Sequence, residues 1–318
     1  MSSNEPVSGG FAPFYRKVRY APLVILFIFA GVYGLSFSLN RIGITAGIPF
    51  LAYMFWQAVG AGLIALTLHG ALARRGLRVD RVALRAYLVM AVIGMIVPFT
   101  IYAFVAPKLP AGIVGLTLAL IPILTYLFAL SMRLEVFMAI RLLGIVLGFA
   151  GVLMIVLPET SLPSRDMVGW VLVAMVAPVC LAAMSVSIVR LRPPNMSSLE
   201  LTAGILVTSA LLMVPIAAVT DTWWWFAAPF DAGDGALLGI ALIQMLMWFG
   251  VIELIRLSGP VFLTMVDNLS TLSGVGWGIL LFAEVHSLWI WGALGLLLPA
   301  VFLVNFTATA VRQKGTLI

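Results

Sequence analysis

Charge is what this chain has least of: 9% of its 318 residues are Asp, Glu, Lys or Arg, against roughly 25% in soluble domains. Beside 63% hydrophobic residues, that scarcity excludes an ordinary water-soluble fold and places the chain in a bilayer. Cysteine occurs once, as Cys180 inside an apolar run, so no intrachain disulfide can form. Histidine occurs twice, as His69 and His286, and no His/Cys/carboxylate group has metal-ligand spacing. No metal or other cofactor is expected. A glycine-rich phosphate loop ending in Gly-Lys-Ser/Thr is also missing, which removes ATP as the direct energy source.

What is present is apolar sequence in helix-length pieces. About 20 apolar residues cross the hydrocarbon, and ten segments approach that length: Leu23–Leu39, Phe50–Leu68, Tyr87–Val105, Ala111–Leu130, Ala139–Leu157, Gly169–Val189, Leu201–Val219, Ala236–Ile252, Pro260–Phe282 and Leu288–Phe306. None shows the alternation of a membrane β-strand, so the chain reads as an all-α polytopic membrane protein. The first segment is too long for a secretory signal and no small-residue cleavage pattern follows it. It is read as an uncleaved span behind a polar tail, residues 1–21. Counting Lys and Arg on alternate sides puts fifteen of the eighteen on the side of both termini, with Arg41, Lys108 and Arg165 opposite. By the positive-inside rule both termini are cytoplasmic. The basic cluster Arg74–Arg85 is then a topology determinant beside anionic headgroups, and nucleic acid is not expected as a partner. The loop Asp221–Gly235, with three consecutive Trp, reads as an aromatic belt at the opposite surface.

The strongest pattern is the hairpin Ala111–Val156 and its echo at Gly259–Asn305. An offset of 149 positions lays Glu135 on Glu284, each closing one apolar run before a glycine-containing second run. In the first copy, a small-residue start, Leu120 and Pro122 in mid-helix, Glu135 thirteen residues on, and Gly144, Gly148 and Gly151 resemble the closing hairpin of an EamA repeat of the drug/metabolite transporter superfamily. The second copy has Thr271 where the first has Pro122. Five spans per copy is odd, so ten transmembrane helices form two inverted five-helix repeats, 22–157 and 169–306, joined by an outer connection, 158–168, and followed by a cytoplasmic tail, 307–318. The resemblance implies a basket whose cavity is lined mainly by spans one, three, four, six, eight and nine.

Polar chemistry at membrane depth supplies the site candidates. Asp267 lies seven residues into the ninth span, about 10 Å along the helix, where a charge must face protein or water. Thr271, Gly274 and Gly278 follow it on one stripe, flanked by Asn268 and Ser270. Asp267 is either a structural residue satisfied by a neighbouring helix or Arg256, or a cation or proton site. Tyr33, Ser36, Asn40, Gln57, Tyr102, Tyr126, Ser185, Gln244 and Trp248 are the other polar or aromatic candidates. The resemblance favours Tyr33, Tyr102, Tyr126, Gln244, Trp248 and Asp267 over Gln57 or Asn305; Thr271 and Asn268 are candidates as neighbours of Asp267. Pro122 and Pro178 are the expected hinges. Gly144 and Gly148 form a small-residue face, read as packing within the chain with a homodimer as the alternative. Glu135 and Glu284 read as helix caps or anchors.

These features and the resemblance imply a secondary active transporter of the bacterial cytoplasmic (inner) membrane, exporting small metabolites or amino acids by alternating access, with the proton as candidate coupling ion and a uniport mode equally allowed by the residues. The alternatives are a lipid-translocating or a non-transporting membrane protein. An enzyme is not expected: Gly34-Leu-Ser36-Phe37 resembles the rhomboid nucleophile motif, but neither histidine is placed to serve Ser36.

Overall fold

The computed structural model describes residues 21–133, 137–156, 162, 164–226, 228–258 and 260–315; of these, the side chains at 21–27, 156, 189, 254–265, 267–268 and 304–315 lie outside the description. The described residues form ten helical runs: α1 Ala21–Thr45, α2 Phe50–Ala73, α3 81–105, α4 111–131, α5 Ala139–Val156, α6 167–191, α7 Ser198–Thr220, α8 Ala232–Ser258, α9 Pro260–Phe282 and α10 Leu288–Gly315. Among the described residues, six of these helices are long and apolar enough to cross a membrane, and three shorter apolar stretches lie in α5, α9 and α10. Several helices outrun the apolar segments that predict them. α3 begins at Arg81 because Asp80 caps it, accepting hydrogen bonds from the Val82 and Ala83 N–H groups. α8 begins at Ala232, where Asp231 and Asp234 each accept the other's backbone N–H, a capping box built from two aspartates.

Three helices are interrupted, and each interruption precedes a proline by about one turn. α3 contains a π-turn at Ala91–Ile96 ahead of Pro98. A 3-10 turn at Thr117–Ala119 ahead of Pro122 divides α4. The α6 helix breaks at Met175 ahead of Pro178. A proline lacks the N–H that would close the turn behind it, and the freed carbonyl side is where the regular ladder gives way. Pro98, Pro122 and Pro178 each follow one of these interruptions.

Packing pairs α1 with α9 and α8, α6 with α4 and α3, α2 with α7 and α8, α7 with α3, and α5 with α10. The α5 helix turns Leu143, Val146, Phe149 and Leu153 outward, an apolar surface that water would not tolerate. Its other face is internal: a Cβ at Gly148 would strike Ile123 Cδ1, and one at Gly151 would meet Leu297 Cγ at 2.9 Å. That face is occupied by α4 and α10 of the same chain. At one end of the bundle Trp56 donates to the Trp224 carbonyl at 2.8 Å, and its ring meets Trp225 and Phe226 edge-on. Trp225 and Phe230 stay more than half exposed, as an interfacial belt requires. At the opposite end the buried Glu200 carboxylate accepts from Arg75 Nη2 at 2.8 Å and from the Arg78 N–H at 3.2 Å, fastening the basic loop to α7.

Candidate functional site

A partly open cavity of about 40 Å³ lies between the helices, lined by Tyr33 of α1, Phe99 of α3, Ile121 of α4, Leu181, Met184 and Ser185 of α6, and Met247, Trp248 and Val251 of α8. Its wall is built around one large side chain. Trp248 is 2% exposed, and it reaches this position because Gly94 has no Cβ: an added carbon there would lie 2.7 Å from Trp248 Cη2 and 2.7 Å from Met184 Cγ. Gly94 belongs to the π-turn of α3, so the helix irregularity and the missing side chain together admit the indole. π-turns recur at functional sites for this kind of reason: they re-aim one face of a helix.

The polar groups near the cavity are few. Trp248 Nε1 is buried without a hydrogen-bond partner among the described residues, as is Gln244 Oε1 one turn away on α8. Gln244 Nε2 donates to Met95 Sδ at 3.2 Å, a weak acceptor. The Ser185 hydroxyl donates to the Leu181 carbonyl of its own helix at 2.9 Å. Burying a donor without a partner costs about 1–3 kcal/mol, so the indole N–H is suited to a ligand that brings an acceptor. No charged side chain is among the described lining residues.

The sequence candidates divide between this cavity and its surroundings. Tyr33 and Trp248 line it, and Gln244 stands one turn away. Tyr102 packs edge-on against Phe37 and Phe99 and shares a hydrogen bond with the Thr117 hydroxyl at 3.3 Å, behind the cavity wall. Tyr126 is elsewhere, in an apolar cluster with Ile123, Ile145 and Ala300, where its hydroxyl accepts the Met138 N–H and its ring lies under Arg141. Thr271 is fully buried on α9. The side chains of Asp267, Asn268 and Arg256 lie outside the described residues, as does Glu135. Met184, Met247, Phe99, Ile121, Leu181 and Val251 are lining residues that single-residue polarity could not single out. For Phe99 a signal exists: it stands 149 positions before Trp248, the same offset that joins the two glutamates.

These features define a polytopic helical membrane protein with a small, largely apolar cavity between its helices. Residues 21–157 match the profile of the EamA-like transporter family. Over that segment the chain is similar to EamA-like transporters, and the six helices of membrane-crossing length and apolarity among the described residues make it an integral, multi-pass membrane protein. The fold is similar to that of a solved structure described only as the crystal structure of a protein, 17% identical, with a TM-score of 0.61 over 92% of this chain and 99% of the other. No curated protein matches.

Proposed function

We propose that the chain is a secondary active transporter that exports small metabolites or amino acids by alternating access. The observation that carries this is the cavity lined by α1, α3 and α4 from the first half and α6 and α8 from the second. Its place at the meeting of two repeats, 22–157 and 169–306, is where inverted-repeat transporters hold substrate.

The packing supports the two-repeat reading. Shifting by five helices turns α1 against α9 and α8 into α6 against α4 and α3, and α2 against α8 into α7 against α3; all of these contacts occur. The pairs α2 with α7, α4 with α9 and α5 with α10 map onto themselves. Met95 and Gln244 are 149 positions apart and touch, as residues beside a pseudo-twofold axis do. Five helices per repeat would make the repeats inverted, and the charge asymmetry supports cytoplasmic termini in the proposed setting, a bacterial inner membrane. The glycine face of α5 is taken up inside the chain, so a homodimer would use another surface.

Asp267 is the proposed proton site, on α9 one turn before the buried Thr271 and beside Asn268. The test is release from proteoliposomes loaded with a mixed amino-acid and amine pool, with and without an imposed pH gradient. Wild type is expected to release at least one solute faster under the gradient, and Asp267→Asn to lose that acceleration while retaining ungated exchange. Release indifferent to the substitution makes Asp267 structural; movement of lipid reporter but no soluble solute replaces the exporter by a lipid translocator.

A further inference from the structure

At the end of the bundle that carries the Trp223–Phe226 belt, three helices meet around one carboxylate. Glu284, just past α9, is 6% exposed at its side chain and accepts from Arg41 Nη1 of α1 at 2.5 Å. It also accepts the Ala111 N–H at 2.7 Å and the Gly112 N–H at 3.0 Å, both at the start of α4. Those are donors that the first turn of a helix cannot satisfy itself. The glutamate therefore caps a helix from the other half of the chain and not its own. Gly112 and Gly278 leave the space it fills: a Cβ at Gly112 would lie 3.1 Å from Glu284 Oε2, and one at Gly278 would strike the same atom. Arg41 is held in turn over the Phe282 ring at 4.4 Å. His286 Nε2 lies 3.5 Å from Glu284 Oε2, buried and without a hydrogen bond among the described residues.

Between this cluster and the cavity the helices are in close contact. Gly34 of α1, Gly274 of α9 and Gly115 of α4 approach backbone to backbone, with Phe37 against the glycines. Tyr33 is eight residues from Arg41 and Ile121 ten from Ala111, so the cluster stands about 12–15 Å from the cavity along the helices. The glycine contact is shut by shape, and the Glu284 cluster is the polar fastening at its rim.

We propose that Arg41, Glu284 and His286 form a latch that holds α1, α4 and α9 together at this end, that it must release before the cavity opens to this side, and that acid on this side favours release. Its purpose as an access gate rests on the transporter reading; its mechanical action does not. Breaking it frees one charge-assisted pair and two backbone donors, and the 3-10 turn of α4 at Thr117–Ala119 is the joint about which the outer part of α4 can swing. The acid response follows from His286. Burial holds the imidazole below its ordinary value of 6.5, against the opposing pull of Glu284. The charged group beside it is Glu284; Arg41 of α1 is paired to the other oxygen of that carboxylate, and the α4 residue next to the imidazole is the uncharged Gly112. Opening returns His286 to water and to its ordinary value. Protons then bind the open form more tightly, so lowering the pH from above 6.5 through that range shifts the equilibrium towards it.

The test is thiol labelling, which requires no solute. Ser185→Cys in a Cys180→Ala background places one thiol in the cavity wall, and a membrane-impermeant maleimide is added to vesicles oriented with the Glu284 end outward. Glu284→Gln is expected to speed labelling about tenfold, the weight of one charge-assisted hydrogen bond. Glu284→Asp should fall between it and the parent. Maleimide adds to the thiolate, whose fraction falls as the pH is lowered, so each rate is divided by that of a fully exposed reference thiol at the same pH; lowering the pH from 7.5 to 5.5 should raise this ratio for the parent and raise it less with His286→Asn. If Glu284→Gln does not fold, judged by its elution position, Arg41→Gln and the pH series on the parent decide. A ratio indifferent both to these substitutions and to pH in folded protein overturns the latch. Solute release failing while labelling responds overturns the transporter reading and leaves the latch standing.

Discussion

Gly34→Ala is expected to destabilise the folded protein by roughly 3 kcal/mol or more, the upper part of the range for overpacked sites. The added Cβ would collide with Ser273 Oγ, lie 2.6 Å from the Gly274 N and 2.9 Å from the Ser270 carbonyl oxygen. A side chain could rotate away; the two backbone atoms can move only with α9. That helix is also fastened here, since Ser273 donates to the Ala30 carbonyl at 2.8 Å and Trp277 Nε1 to the Gly31 carbonyl at 2.9 Å. Gly31→Ala is the matched control, one turn earlier on the same helix with nothing within 4 Å of the new carbon. It should be neutral or slightly stabilising, because alanine has the better helix propensity. Thermal unfolding of the purified protein in detergent checks both. Equal midpoints for the two variants would mean that α1 and α9 are not packed this tightly.

The second large effect falls on Trp248. Trp248→Ala removes the cavity wall and should cost about 3–5 kcal/mol of stability, the usual range for a buried Trp or Phe cut to Ala. Release of whatever solute the wild type moves should drop about tenfold or more. Trp248→Phe separates wall from chemistry: the ring fills most of the slot beside Gly94, but the indole N–H is gone. Solutes with an acceptor able to reach Nε1 should lose more than those without one, by about a factor of five to ten for one hydrogen bond. Release rates across the loaded pool check this by their ratios, which a general loss of folded protein leaves unchanged. A uniform loss over all solutes would make Trp248 a packing residue only.

How much of this was legible in the sequence differs by level. The helices were, because apolar runs of membrane length have one structural outcome. The helix interruptions before Pro122 and Pro178 go with prolines visible in mid-span, but the π-turn before Pro98 depends on how α3 meets Trp248 across the bundle. The cavity was legible at Tyr33 and Trp248, where a polar atom on an aromatic ring stands out in an apolar run. It was not legible at Met184, Met247 or Leu181. A methionine that faces a cavity and one that faces lipid look alike when both surroundings are apolar, and only contact across helices separates them. Tyr126 shows the converse: its hydroxyl answers the Met138 N–H of its own hairpin, a local need that composition does not reveal. Glu284 was read as an anchor, and its partners, Arg41 and the start of α4, lie 243 and 173 residues away in sequence.

The central claim is that solute crosses through the cavity bounded by Tyr33, Ser185 and Trp248. The most direct measurement is release from proteoliposomes by the Ser185→Cys, Cys180→Ala protein before and after a small thiol reagent has modified Cys at position 185 to completion. The account predicts that release occurs before modification and is blocked after it, while the Cys180→Ala parent, treated identically, continues to release. Undiminished release through fully modified protein would contradict it and place the path outside this cavity.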